Sequence, residues 1–206
     1  MGHSRASKAV THARLVETAA SRFKERGVDG ISLADLMKDL KLTHGGFYRH
    51  FESRDALVKE ALDLALEQSS LSMKGWLGEG GKPNVAHFID SYLAEAHRDD
   101  RADGCAVAAL AGDASRKSAE MQAQFREHIE GSLEPLTAAL EAQSVDEPRE
   151  SAIRMMAMLY GALIMSRAVG DSALSREALK SARKGALKLA TGTKKGGRRP
   201  RSRGHG

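Results

Sequence analysis

The 206-residue chain has one cysteine, Cys105, so neither an intramolecular disulfide nor a Cys-rich zinc site can form. A reducing, cytoplasmic setting is expected. No apolar run approaches the roughly 18 residues that a membrane span needs. Residues 1–8 have no apolar stretch of the signal-peptide kind, so neither a membrane nor a secretory role is expected. Alternating β-branched runs are missing and aromatic residues are only 4% of the chain, which argues against a sheet-based core. Gly-x-Ser-x-Gly, His-Glu-x-x-His and P-loop motifs are also absent. No catalytic residue, metal or cofactor is therefore expected. His87 with Asp90, and His97 beside Asp99 and Asp100, could form a weak cluster but read equally well as surface charge. A helical enzyme is the weakest alternative.

Apolar residues make up 41% and charged residues 29%, the balance of a globular protein long enough to bury a real core. The net charge of +5 is unevenly placed. Residues 194–206 hold six bases and no acid, so the remainder is close to neutral. Within that remainder, residues 1–51 carry nine bases against five acids, and residues 52–193 carry 17 against 22. A basic first quarter on an acidic body suggests a nucleic-acid module joined to a unit with another task.

Ala, Leu, Glu, Lys and Arg dominate, and their periodicity predicts an all-α fold of about nine helices. The first spans about 10–26, with Leu15, Ala19 and Phe23 on one face and Gly27 as its stop. Ser32, Thr43 and Ser53 are good N-caps for the next three. After a glycine-rich loop near 78–83, helices are expected at about 84–98, 105–115, 118–143, 150–169 and 174–191. Three segments follow: 1–52 as the basic, candidate nucleic-acid unit, 53–191 as a larger helical unit, and 192–206 as a disordered basic tail.

Two short helices around residues 40–43 have helix-turn-helix spacing. The second reads Thr43-His44-Gly45-Gly46-Phe47-Tyr48-Arg49-His50-Phe51. Two adjacent helical glycines cost about 2 kcal/mol relative to alanines. They make sense where another surface, such as DNA, must come close, although a surface helix packed through a glycine pair is the bland alternative. Phe47 and Phe51, at i and i+4, should turn inward.

Residues 14–37 and 42–57, with Phe23 and Gly27 closing the first helix, Thr43-x-x-x-Phe47-Tyr48-x-His50-Phe51 and Ser53-Arg54-Asp55-x-Leu57, closely resemble the DNA-binding domain of the TetR/AcrR family of bacterial transcriptional regulators. The resemblance implies that Ser32 and Leu33 offer a hydroxyl and a backbone N–H to phosphate. It also implies that Thr43 caps the recognition helix and touches phosphate, that His44 and Gly45 face base edges, and that Gly46 permits close approach. Tyr48, His50 and Arg54 would contact phosphates. Lys41 departs from the family, where glycine is common in the turn.

For the body, the resemblance implies a homodimer built on the last two helices and a pocket for a small-molecule inducer of unknown identity. Candidate pocket residues are Trp76, Phe88, Tyr92, Met121, Phe125, Met155 and Tyr160, each of which could instead be plain core. Met156, Leu159, Leu163, Leu174, Ala178, Ala182 and Ala186 form stripes suited to a dimer interface, or to a helix pair within one subunit. Cys105 follows Gly104 at an expected helix start, where a thiolate is stabilised. That Gly-Cys start resembles a subgroup of the family in which such a cysteine senses electrophiles or oxidants; simple packing is the competing reading. The tail segment 197–201 loosely resembles an AT-hook.

The resulting expectation is a sequence-specific DNA-binding regulator, acting as a repressor released from a near-palindromic operator by a small molecule or by thiol modification. A nonspecific, nucleoid-type DNA-binding protein acting through the tail is the alternative.

Overall fold

The computed structural model describes residues 5–78 and 80–191. Among them are ten helices and no strand. These are α1 (Arg5–Arg26), α2 (Leu33–Asp39), α3 (His44–Phe47), α4 (Arg54–Leu77), α5 (Val85–Tyr92), α6 (Glu95–Asp99), α7 (Ala106–Ala114), α8 (Ala119–Ala142), α9 (Pro148–Ala168) and α10 (Ala173–Thr191). The tail expected to be disordered and DNA-binding, residues 192–206, lies outside the described residues.

The expected count of nine becomes ten because the stretch at 84–98 is broken. Leu93 ends α5, and Ala94, with extended backbone, opens the five-residue α6 without any side-chain cap. A similar detail shifts α9. Its N-cap is Glu147, left-handed at φ 50°, and Pro148 supplies the first turn, where a missing N–H costs nothing.

The first three helices are set by caps and by one aromatic cluster. Gly27, at φ +80°, terminates α1 with its N–H on Phe23 O at 2.8 Å. Ser32 and Asp35 form a capping box on α2, and Thr43 Oγ1 accepts the Gly46 N–H at 3.2 Å on α3. Phe23, Phe47 and Phe51 are buried with Leu15, Ala19 and Leu57, which fixes α3 against α1 and α4. Burying each such large side chain contributes about 1.5–3 kcal/mol.

The 24-residue α4 is the common spine. It packs along α1 at its start and against α5, α7 and α8 further on. The last two long helices, α9 and α10, pair with each other, and α9 also packs on α8. Here the stripe expected at a dimer interface is corrected in large part. Met156, Leu159, Leu163, Ala182 and Ala186 are buried inside this one chain, because they face neighbouring helices of the same subunit. Ala178 is half-buried. Only Leu174 of that set is exposed, at 52%, in company with Ile153, Ile164, Met165 and Val169.

Candidate DNA-binding face and internal cavity

The helix-turn-helix presents one polar face. Thr43, His44 and Gly45 are exposed, and Tyr48 is 58% exposed although it follows the buried Phe47. The His44 and Tyr48 rings meet edge-on at 5.6 Å, one turn apart. A Cβ added at Gly45 would touch nothing, and one at Gly46 would meet only Thr43 Oγ1 at 3.4 Å. The glycine pair therefore leaves an open surface rather than a packed seam, which removes the bland alternative. Lys41 is left-handed at φ 55°, a conformation that costs a non-glycine residue about 1–2 kcal/mol. Its position joins it to Lys8, Thr43, Gly46, Arg49 and His50 around one cleft beside α3. Lys8 reaches this cleft from α1, a link no local pattern could reveal.

Two of the residues expected to meet phosphate, Ser32 and Arg54, already have partners within the chain, and a third, His50, is partly enclosed. The Ser32 hydroxyl accepts the Asp35 N–H and donates to Asp35 Oδ2 at 2.6 Å, so its first duty is the cap. His50 has its Nδ1 enclosed without a hydrogen-bond partner among the described residues, leaving Nε2 as its one possible phosphate donor. Burial, with His12, Lys8 and Arg49 nearby, pushes its pKa down. Arg54 has partners within the chain as well. Its guanidinium donates to the carbonyls of Val28 (2.5 Å) and Ile31 (3.3 Å) in the α1–α2 loop, because that loop brings its backbone oxygens over the start of α4. Leu33 is half-buried against the core and could offer only its backbone N–H.

The body contains a cavity of 480 Å³ between α4, α5, α6, α8 and α9. Trp76, Phe88, Tyr92 and Tyr160 line it, as expected, and so does Cys105. Met121, Phe125 and Met155 do not line it: Phe125 and Met155 fill the core, and Met121, 5% exposed, borders a second cleft beside Val28 and Arg54. Met156, expected at the dimer interface, is on the cavity wall. The polar lining comes from Ser69 and Ser72 of α4, His97 and Asp100 around α6, and His128 and Ser132 of α8; of these the sequence singles out only His97 and Asp100, and as a weak surface cluster. These residues lie up to 63 positions apart and meet only through tertiary packing.

Tyr92 is the hub of this wall. Its ring lies within 6.3 Å, centroid to centroid, of Trp76, Phe88, His97 and Tyr160. Its hydroxyl is buried and meets no hydrogen-bond partner of normal geometry among the described residues. Burial first, then the neighbouring Cys105, holds that hydroxyl well above the usual tyrosine pKa, so it stays a neutral donor. His97 is fully committed: Nδ1 pairs with Tyr92 O at 2.6 Å, and Nε2 accepts the Cys105 N–H at 3.2 Å. Those bonds fix the neutral tautomer with the proton on Nδ1, and burial lowers its pKa. Asp90 is held by Arg183 at 2.7 and 3.0 Å. The weak His–Asp cluster expected from sequence is therefore two separate structural pairings, with His97 buried rather than on the surface. Among the described residues no group of three His, Cys, Asp or Glu side chains could hold a metal.

Cys105 is the N-cap of α7, 7% exposed, and makes no side-chain capping bond. The glycine before it has a steric reason. A Cβ at Gly104 would sit 2.4 Å from Asp100 O and 2.7 Å from Arg167 Nη2. Arg167 binds the carbonyls of His97, Arg98 and Asp100 with its guanidinium, holding the end of α6 against the cavity rim.

Comparison with known proteins agrees with this arrangement. A family described as bacterial regulatory proteins, tetR family, matches residues 15–61, and the C-terminal domain of LmrA/YxaF-like transcriptional regulators matches 83–181. The uncharacterized HTH-type transcriptional regulator Rv0196 of Mycobacterium tuberculosis is 25% identical over 172 residues, covering 77% of this chain and 84% of that protein. The match to YuxN of Bacillus subtilis, likewise an uncharacterized HTH-type regulator, is 26% identical over 73 residues, 35% of this chain, and spans 25% of that protein. The reduced form of Escherichia coli NemR has the same fold, with a TM-score of 0.72 and 22% identity over 86% of this chain and 95% of that one. With both its DNA-binding and C-terminal halves matched in order, the chain belongs to the TetR family of DNA-binding transcriptional regulators, which are not enzymes.

Proposed function

We propose that this regulator is a cytoplasmic repressor that binds a near-palindromic operator as a homodimer and is released when a small molecule occupies the 480 Å³ cavity. The observation that carries this reading is the Tyr92 hydroxyl, a buried donor without a well-formed hydrogen bond among the described residues, in an aromatic-walled space. An unmatched buried donor costs about 1–3 kcal/mol, which a ligand oxygen would recover. The exposed apolar residues Ile153, Ile164 and Met165 on α9, Val169 just past its end and Leu174 on α10 support self-association, since a second copy would cover them. A C2 dimer places two recognition helices about one DNA turn apart, hence the inverted repeat.

Thiol modification is a second way to the same release. Cys105 lines the cavity, so an electrophile entering there would add bulk between α6 and α7. Retaining sheared genomic DNA on the purified protein and sequencing it tests the operator reading: a shared inverted repeat is expected, and diffuse retention would contradict it. With that operator, candidate aromatic ligands are screened for release, and a thiol reagent is compared on native and Cys105→Ser protein. Release of both forms alike would remove the thiol route and leave the cavity route standing.

A further inference from the structure

Val28 follows the glycine that ends α1 and is gripped from two sides. Its N–H donates to Asp113 Oδ2 at 3.0 Å, and its carbonyl accepts from Arg54. Asp113 stands near the end of α7 and Arg54 at the start of α4. The same two helices meet again at the cavity. There the Ala106 N–H, the first of α7, donates to Ser69 Oγ of α4 at 3.0 Å. Ser69, Trp76 and Cys105 all line the cavity. Two rigid rods, about 36 Å and about 14 Å long by helical rise, are thus joined at the cavity by one bond and at Val28 by two.

Asp113 is placed for this contact at some cost. A carboxylate beside the C-terminal end of a helix opposes the helix dipole. The fit is close: a Cβ at Gly27 would lie 3.1 Å from Asp113 Oδ2. Arg116 steadies the carboxylate at 3.1 Å, and Lys117 reaches Asp29 of the same loop at 2.6 Å. The loop leads directly to Ser32, the cap of α2, and so sets where the helix-turn-helix begins.

We infer that Asp113 is a positioning residue for DNA binding: it latches α7 to Val28, so that a shift of α7 against α4 at the cavity moves the α1–α2 loop and the helix-turn-helix with it. The latch rests on the reading of the cavity as the control site, but its test does not need the effector.

Amide hydrogen exchange on the full chain compares native protein with Asp113→Ala and Asp113→Asn. With the latch gone, exchange should rise about fivefold or more at residues 28–36 and also at 105–109, the far end of α7. Asparagine keeps an acceptor for the Val28 N–H and should restore both. A rise confined to 28–36 would make Asp113 a local cap and overturn the proposal, as would an alanine variant indistinguishable from native. A second measurement uses Trp76, the one tryptophan, as reporter in the cavity. Saturating operator should change its emission in native and Asp113→Asn protein and leave it unchanged in operator-bound Asp113→Ala. An equal change in all three would also overturn the latch. Failure to retrieve an operator would count against the repressor reading alone, because the exchange experiment still decides the latch.

Discussion

The Nε2 of His97 accepts the backbone N–H of Cys105 at 3.2 Å, tying the end of α6 to the start of α7 through one neutral imidazole. The other nitrogen holds Tyr92 O, so one ring connects three cavity-wall segments. Replacing it with alanine strands a buried N–H and a buried carbonyl. His97→Ala should lower stability by about 1–3 kcal/mol, read as a fall in Tm.

The same ring sets a pH dependence. Burial keeps the pKa of His97 below its ordinary 6.5, and His128 is lowered for the same reason. Between the lowered value and 6.5 the unfolded chain binds a proton that the folded chain refuses. Stability should therefore fall as pH drops through the ordinary histidine value and level off once the folded-state value is passed. Thermal melts from about pH 7.5 to 5.5 check this, and His97→Ala should show a shallower slope.

Arg54 yields a prediction that separates two roles. If its guanidinium neutralised a phosphate, Arg54→Ala would reduce the salt slope of operator binding by about one unit. Because Arg54 binds the Val28 and Ile31 carbonyls instead, Arg54→Ala should lower Tm and weaken binding while leaving that slope unchanged. Titrations at several salt concentrations, with a melt beside them, decide between the two.

The DNA-binding half was legible because its signals are local. Ser32 caps α2 within three residues, Thr43 caps α3, and Phe47 and Phe51 sit one turn apart. The carbonyl partners of Arg54 were not legible, because a cation at a helix start near DNA can serve a phosphate or a carbonyl and only the folded loop brings the carbonyls to it. In the body, Met156, Leu159 and Ala186 announced burial but not what buries them. Met121, Phe125 and Met155 failed as residues of this cavity for the same reason: helical spacing fixes a face, not the void beside it. Ser69 and His128 gave no signal, and His97 read as surface charge, since the cavity brings them together from three distant helices.

Lys41 trades stability against charge. Its left-handed backbone at φ 55° is strained for lysine and easy for glycine. Lys41→Gly should raise stability by about 1 kcal/mol. Its ammonium shares the cleft with Lys8 and Arg49, so the same change should weaken operator binding and lower the salt slope by about one unit. Stability and affinity would move in opposite directions, a result that no loss of folding could mimic.

His44 and Tyr48 touch edge-on, yet they should fail differently. His44 is the first residue of α3, just past its cap, at the end of the helix that is expected to enter the major groove. Tyr48 closes the helix and stands out from the surface, and is expected to meet a phosphate oxygen. Tyr48→Ala should weaken binding to operator and to unrelated duplexes by similar factors, because phosphates carry no sequence. His44→Ala should weaken the operator more than unrelated DNA and shift the preferred bases at the matching position, by about 1–3 kcal/mol of discrimination. Selection from a randomised duplex pool, run on both variants, reads the difference. Equal losses on all sequences for His44→Ala would remove it from base reading and leave Gly45, with its open surface, as the point of closest approach to the bases.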